Sequence, residues 1–266
     1  MQTPPAMLTR ILTGVLLAPL VVLLFLWGPE WARALVLITA AGLCLGELFA
    51  MAMPDRPLER WLGIALGVAV LVSMWRVPEG FDGDLLAMLV LPALLVVARP
   101  DPIDKAAHRL FALWAGFIYI VIPFHYGVKL GIDQDPWILY ALGVVWSGDT
   151  GAYFAGRFLG RHKLHPRVSP KKTIEGAIGG IAASIGGGLL MVSVLGLPMP
   201  TGYVVAYSAI GGALGQLGDL AESLLKRTFG VKDSGAILPG HGGMLDRLDG
   251  VIFAFPFFGL VLGLGF

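Results

Sequence analysis

The side chains best suited to chemistry fall in two runs near the C-terminus. Asp219, Glu222, Ser223, Lys226 and Arg227 are spaced i, i+3, i+4, i+7 and i+8. On a helix that spacing makes one polar stripe. Asp246 and Asp249 stand three apart and share a helical face, with Arg247 pointing elsewhere. Between the runs lies VKDSGAILPGHGGM, where Pro239, Gly240, Gly242 and Gly243 keep the chain irregular around His241. Bare glycine backbone lets N–H groups approach an anion closely. Asp219, Asp246 and Asp249 suit a divalent cation such as Mg²⁺, and Lys226, Arg227, Lys232 and Arg247 suit phosphate. The 27 residues from Ser223 to Asp249 hold four of 19 basic residues, three of 18 acidic residues and a His, in a chain with only 14% charge. Charge at the edge of an apolar segment is unfavourable, so this concentration points to a site for phosphates and a metal. Structural alternatives remain for single residues. Lys226 and Arg227 also fit snorkelling cations at a helix end, Asp246 fits a helix N-cap, and His241 fits a hydrogen-bonded loop histidine. A cap does not explain Asp219, nearly two turns deeper than the cations.

Two other places carry polar chemistry. In SPKKTIEG, Ser169 fits an N-cap and Pro170 the first helical position. Lys171 and Lys172 would then sit beside a helix N-terminus, which favours anions. The alternative is a basic loop facing anionic headgroups. In WSGDTGAYFAG, Asp149 lies mid-segment with Tyr153 one turn later. Gly148, Ala152, Gly156 and Gly160 repeat every four residues, as do Gly176, Gly180, Ser184 and Gly188. Both are stripes of small residues for close helix contact. Glu47 is a lesser candidate, close enough to the cytoplasmic end of its segment to reach the headgroups.

The elements that must position these groups are apolar helices. The chain is 56% hydrophobic with a mean hydropathy of +0.79, whereas soluble domains carry about 25% charge. Nine apolar segments emerge: Leu8–Trp27, Trp31–Ala52, Leu58–Trp75, Asp84–Ala98, Ala107–Leu130, Trp137–Leu159, Ile174–Leu197, Tyr203–Leu225 and Leu248–Phe266. Runs of roughly 20 apolar residues span a bilayer as helices. The third and fourth are short enough for tilted or re-entrant segments. The runs do not alternate, which argues against a β-barrel. Cys44 is the only cysteine, excluding an internal disulfide framework and a Cys-based zinc site. Leu8–Trp27 lacks a small-residue cleavage site and does not read as a cleaved signal. With the N-terminus inside, 16 of the 19 Lys and Arg fall on one side, and only Arg33, Arg76 and Lys129 on the other. The positive-inside rule then places the N-terminus and the basic loops in the cytoplasm and the C-terminus in the periplasm. The expectation is an all-α, polytopic integral membrane helical bundle of about nine transmembrane helices. It forms one membrane-embedded domain, with residues 1–105 as scaffold spans and 106–266 as the catalytic half.

The run Ser223-x-x-Lys226-Arg227-x4-Lys232-Asp233-x-Gly235-x-x-Leu238-Pro239-Gly240-His241-Gly242-Gly243-x-x-Asp246-Arg247-x-Asp249 resembles the signature of bacterial phosphatidate cytidylyltransferases, the CDP-diacylglycerol synthases. The Ser-Pro-Lys-Lys-Thr-x-Glu-Gly element and the Asp149 to Tyr153 element are also similar to that family. The resemblance implies a homodimeric inner-membrane enzyme that works on the cytoplasmic side. It would join CTP and phosphatidic acid from the bilayer lipids, with Mg²⁺, to give CDP-diacylglycerol and pyrophosphate. Asp219, Asp246 and Asp249 would hold one or two metal ions. Lys226, Arg227, Lys232 and Arg247 would neutralise the substrates, with Lys171 and Lys172 contributing from the facing helix. Ser223, Asp233, His241, Gly242, Gly243 and Asp149 would complete the substrate site. No nucleic-acid partner is expected. Another class of function is a transporter with midplane acids, but it predicts internal repeats that the sequence lacks. The CDP-alcohol phosphatidyltransferases are excluded, because VIFAFPFF follows Asp249-Gly250 without the Arg and Asp of their motif. A non-catalytic scaffold would leave the long motif unexplained.

Overall fold

The computed structural model describes residues 19–133, 136–237 and 242–263. Residues 8–18 of the first expected segment, Leu8–Trp27, lie outside the described residues, and from Trp31 onward the helices follow the apolar segments closely. They are α1 (19–27), α2 (Glu30–Ala52), α3 (Pro57–Arg76), α4 (Phe81–Val97), α5 (Ala106–Gly116), α6 (Ile122–Ile132), α7 (Trp137–Leu159), α8 (Ile174–Leu195), α9 (Thr201–Thr228) and α10 (Leu245–Gly263). A π-helical turn, Phe117–Val121, joins α5 and α6 into one stretch just before Pro123. Proline lacks the N–H that a regular ladder needs there. Among the described residues, five helical stretches are long and apolar enough to cross a membrane: Glu30–Ala52, Pro57–Arg76, Pro78–Val97, Ile103–Ile132 and Ile174–Leu195. The protein is an all-α membrane helical bundle. Helix α3, considered as a possible short segment, has 20 residues, or about 30 Å at helical rise.

Residues 169–173 correct one expectation. They form strand β2 (Ser169–Thr173), antiparallel to β1 (Lys163–His165), with Lys163 opposite Thr173. Ser169 is therefore not the N-cap of α8, and Pro170 is not its first residue. The cap is Thr173, whose Oγ1 accepts from the Gly176 N–H at 3.1 Å. Pairing with β1 satisfies the extended backbone, and the fixed φ of Pro170 suits a strand edge as well as a first helical turn. Lys171 and Lys172 thus project from a hairpin that leads into α8. Glu175, one residue into that helix, braces the hairpin's entry. Its carboxylate accepts from the Arg161 N–H at 3.0 Å and lies 2.6 Å from His162 Nδ1.

The small-residue stripes do bring helices together. A methyl at Gly176 would lie 2.9 Å from the Ala152 carbonyl, and one at Gly180 would lie 3.0 Å from Ala152 Cβ. Gly148 faces Ser184, whose Oγ donates to the Val144 carbonyl at 3.0 Å. Close backbone approach gives α7 and α8 extensive dispersion contact with little side chain between them. On α9, Gly211 faces the Phe258 ring, Gly215 faces Val145 and Gly250, and Gly218 abuts the Asp249 carbonyl. Helix α10 is thereby seated directly against α9. Elsewhere the core is aromatic and aliphatic: Phe49, Leu113, Phe117 and Phe124 are buried where α2, α5 and α6 meet. A buried Arg109–Glu59 pair, 2.6 Å apart, ties α5 to α3.

Candidate active site

Four of the five acids expected at the site converge although they come from three separate helices. A cavity of about 580 Å³ is lined by Asp149 of α7, Asp219 of α9, and Asp246 and Asp249 of α10. The same cavity takes Lys171 and Lys172 from β2, Arg247 from α10 and Arg157 from α7. Four carboxylates and four cations thus share one enclosure, with Trp146, Tyr153 and Gln216 also in its wall. The glycine stripes explain how. They let α7, α8, α9 and α10 pack closely enough for short acidic side chains to face one another.

Asp219 pairs with Lys172, Oδ2 to Nζ at 2.7 Å, and both remain partly exposed to the cavity (34% and 26%). Ser223 Oγ, one turn along α9, donates to Asp219 Oδ1 at 3.4 Å. Asp249 Oδ1 accepts from the Gly250 N–H at 2.8 Å. Gln216 Nε2 donates to the Ala177 carbonyl at 3.0 Å, tying α9 to α8 at the cavity wall. Arg157 Nη1 donates to the Tyr153 hydroxyl at 2.9 Å, one helical turn away.

Asp246 is held on both oxygens. Lys226 Nζ donates to Oδ1 at 2.6 Å. Oδ2 accepts from the Gly243 N–H at 2.8 Å, the Ser234 N–H at 3.0 Å and the Ser234 hydroxyl at 3.0 Å. Lys226 also pairs with Glu222, which is fully buried. Asp246 therefore acts as an anchor for the signature loop while its face lines the cavity. Lys226 sits between two carboxylates rather than opening onto the cavity.

Of the three acids expected to hold a metal, Asp246 is already bonded on both oxygens, and Asp219 and Asp249 are less engaged. Among the described residues, no three His, Cys, Asp or Glu side chains gather as a metal cage. Mg²⁺ does not need one. It keeps waters and is commonly bound by one or two carboxylates plus substrate phosphates. Asp219 and Asp249, from neighbouring helices on one cavity wall, fit that role. Asp246 is committed to Lys226, Ser234 and Gly243.

The remaining expected residues are distributed as follows. Arg227 is exposed at the end of α9 and donates to the Val231 carbonyl at 3.3 Å, away from the cavity wall. Lys232 and Asp233 are exposed in the following loop. Gly242 has φ of 83°, a left-handed conformation that favours glycine. Gly243 has no room for a side chain, because a Cβ would collide with Ser234 and Glu47. His241 lies outside the described residues, together with Leu238, Pro239 and Gly240.

Glu47 was undervalued from sequence. It is 5% exposed and accepts from the Ser234 hydroxyl at 2.9 Å and from the Met244 and Leu245 N–H groups at 2.8 Å each. An acid inside an apolar run was the available signal. Its partners lie almost 200 residues away, so no local spacing could reveal them. Arg157, Tyr153 and Gln216 were also not singled out as site residues, although the i, i+4 spacing of Tyr153 and Arg157 is readable.

Known proteins resemble this chain over nearly its whole length. The family model described as "Cytidylyltransferase family" matches residues 8–264. A phosphatidate cytidylyltransferase of Bacillus subtilis (strain 168) is 38% identical over 96% of this chain and 97% of its own length. That of Staphylococcus haemolyticus (strain JCSC1435) is 47% identical over 54% of this chain and 55% of its own. One from Staphylococcus aureus (strain COL) is 46% identical over the same shares. The chain belongs to the cytidylyltransferase family of nucleotidyl-transferring enzymes.

Proposed function

We propose that this protein is a phosphatidate cytidylyltransferase. It joins CTP to phosphatidic acid in the bacterial inner membrane, giving CDP-diacylglycerol and pyrophosphate. The observation that carries the reading is the cavity in which Asp149, Asp219, Asp246 and Asp249 face Arg157, Lys171, Lys172 and Arg247. Such mixed charge suits two polyanionic substrates and a cation that travels with one of them. The whole-length similarity to the Bacillus subtilis enzyme supports the choice of substrates.

In the reaction a phosphatidate oxygen forms a bond to the α-phosphorus of CTP, and the bond from that phosphorus to the bridging oxygen breaks. Pyrophosphate leaves with the electron pair. The nucleophile is already an anion, so the site needs no base to activate it. The obstacle is repulsion between two polyanions, which positioning and electrostatic stabilisation must overcome. Mg²⁺, held by Asp219 and Asp249, would neutralise charge on the triphosphate. Lys172 exchanges its contact with Asp219 for a phosphate oxygen when substrate enters. Lys171, Arg157 and Arg247 surround the same space and oppose the charge on the departing pyrophosphate and the lipid headgroup. Lys226 holds Asp246, and through it the loop that closes one side. CTP enters from water and phosphatidic acid laterally from lipid, so the site belongs at the cytoplasmic face. The 16-to-3 distribution of Lys and Arg supports that orientation, with the N-terminus inside and the C-terminus in the periplasm. The working unit is a homodimer.

The test is direct. Protein purified in detergent should release pyrophosphate only when CTP, phosphatidic acid and Mg²⁺ are all present, and EDTA should stop it. Release that does not depend on phosphatidic acid would reject the reading. Substitution of ATP, UTP or GTP should not support turnover.

A further inference from the structure

We infer that Glu47, from the N-terminal part of the chain, is a positioning residue for the reaction and fixes the signature loop behind Asp246. The inference rests on the proposed cytidylyl transfer. Glu47 lies in α2 and does not line the reactive cavity, yet its carboxylate is buried at the start of α10. One oxygen accepts from the Met244 N–H, and the other from the Leu245 N–H and the Ser234 hydroxyl. The two N–H groups are orphan donors of a helix N-terminus, and a carboxylate there also meets the positive end of the helix dipole. The Ser234 hydroxyl also lies 3.0 Å from Asp246 Oδ2, so its single proton is shared between the two carboxylates. Asp246 follows Leu245 directly in the chain. Glu47 therefore controls Asp246 by two routes: through the shared hydroxyl, and through the backbone of the turn that carries it.

The glycines of the signature show the same dependence. A Cβ at Gly235 would lie 2.8 Å from the Glu47 carboxyl carbon, and one at Gly243 would lie 2.6 Å from it. Two glycines of the motif are thus moulded around a side chain from a helix almost 200 positions earlier. No described cation pairs with Glu47, so its charge is satisfied by neutral donors alone. Loss of either acceptor oxygen leaves buried N–H groups unmet.

Gln is nearly isosteric but presents one acceptor and one NH₂. In Glu47→Gln that NH₂ would face the Met244 or Leu245 N–H, donor against donor. Glu47→Asp keeps both acceptors but is one methylene too short to reach every donor. Glu47→Gln should lower kcat about 10- to 100-fold, the scale for disturbing hydrogen bonds to a charged group. The KM for CTP should change by less than about threefold, because Glu47 does not line the reactive cavity. The deciding experiment is a double-mutant cycle with Asp246→Asn, read as CDP-diacylglycerol formed from labelled CTP by full-length protein in detergent. If Glu47 acts through Asp246, Glu47→Gln should lower kcat less than about threefold further in the Asp246→Asn background. An equal fold loss in both backgrounds would assign Glu47 a merely structural role and overturn the inference. So would an unchanged kcat, or a raised KM with normal kcat. If Glu47→Gln does not fold, Glu47→Asp enters the same cycle with the same criteria. Absence of CDP-diacylglycerol from the wild-type protein would reject the proposed activity instead, and is a separate result.

Discussion

Gly218→Ala offers a sharp test of how the helices place the acids. Gly218 of α9 abuts the backbone carbonyl of Asp249, well inside normal contact for an added methyl. That methyl would also lie 3.2 Å from the Asp249 carbonyl carbon and 3.3 Å from Phe253 Cδ2. Restoring ordinary contact requires α10 to move away from α9 by about 1 Å. Two opposing terms set the stability change. Alanine favours a helix over glycine by about 1 kcal/mol, and overpacking opposes it by about 1–3 kcal/mol. The net loss is therefore about 0–2 kcal/mol, and the protein should still fold and insert. Catalysis responds differently, because a displacement of about 1 Å at a reacting centre costs on the order of 100-fold. Gly215→Ala is the control on the same helix. Its methyl would meet Val145 at 3.4 Å and the Gly250 carbonyl at 3.6 Å, both ordinary contacts. Steady-state CDP-diacylglycerol synthesis, with thermal unfolding measured on the same samples, should show Gly218→Ala nearly inactive but folded. Gly215→Ala should be within about threefold of wild type and no less stable. Equal activity of the two variants would refute the claim that the α9–α10 seat positions Asp249.

Three further outcomes follow from individual contacts. Lys172→Ala should raise KM for CTP or phosphatidic acid about tenfold, the scale of a lost charge-assisted contact, in steady-state kinetics with each substrate varied. Lys226→Met leaves buried Glu222 and Asp246 without their shared cation, and should destabilise the protein by about 3–5 kcal/mol. A thermal-unfolding midpoint like that of wild type would refute that bracing role. Thr173→Ala removes the α8 cap and should cost about 1 kcal/mol, whereas Thr173→Ser should restore it, both read by thermal unfolding.

The apolar helices were legible in the sequence because a bilayer demands long uninterrupted runs. Among the described residues, each segment from Trp31 onward coincides with a helix or, for Ala107–Leu130, with one continuous helical stretch, to within a few residues. The acids Asp149, Asp219, Asp246 and Asp249 also stood out, since charge within such runs is rare. Their partners were less legible. Asp246 suits a metal by its spacing, with a cap as the alternative, and only the positions of Lys226, Ser234 and Gly243 decide its contacts. Lys226 suits phosphate by its place on the stripe, and helix spacing says nothing about the carboxylate of Asp246 that another helix brings opposite it. Ser169 and Pro170 carried good helix-start chemistry, but pairing with Lys163–His165 is non-local and overrode it. Glu47 illustrates the same limit at greater distance. An acid in an apolar helix is visible, while the backbone N–H groups it satisfies depend on how α2 meets α10.

Radiolabel position tests the central claim most directly. CTP labelled with ³²P at the α-phosphate, and separately at the γ-phosphate, is supplied with phosphatidic acid and Mg²⁺ to purified protein. The α label should appear in CDP-diacylglycerol and the γ label in pyrophosphate, in equal amounts, with both signals greatly reduced in Asp249→Asn. Label from the γ-phosphate in lipid, release of inorganic phosphate, or undiminished transfer by Asp249→Asn would contradict the account.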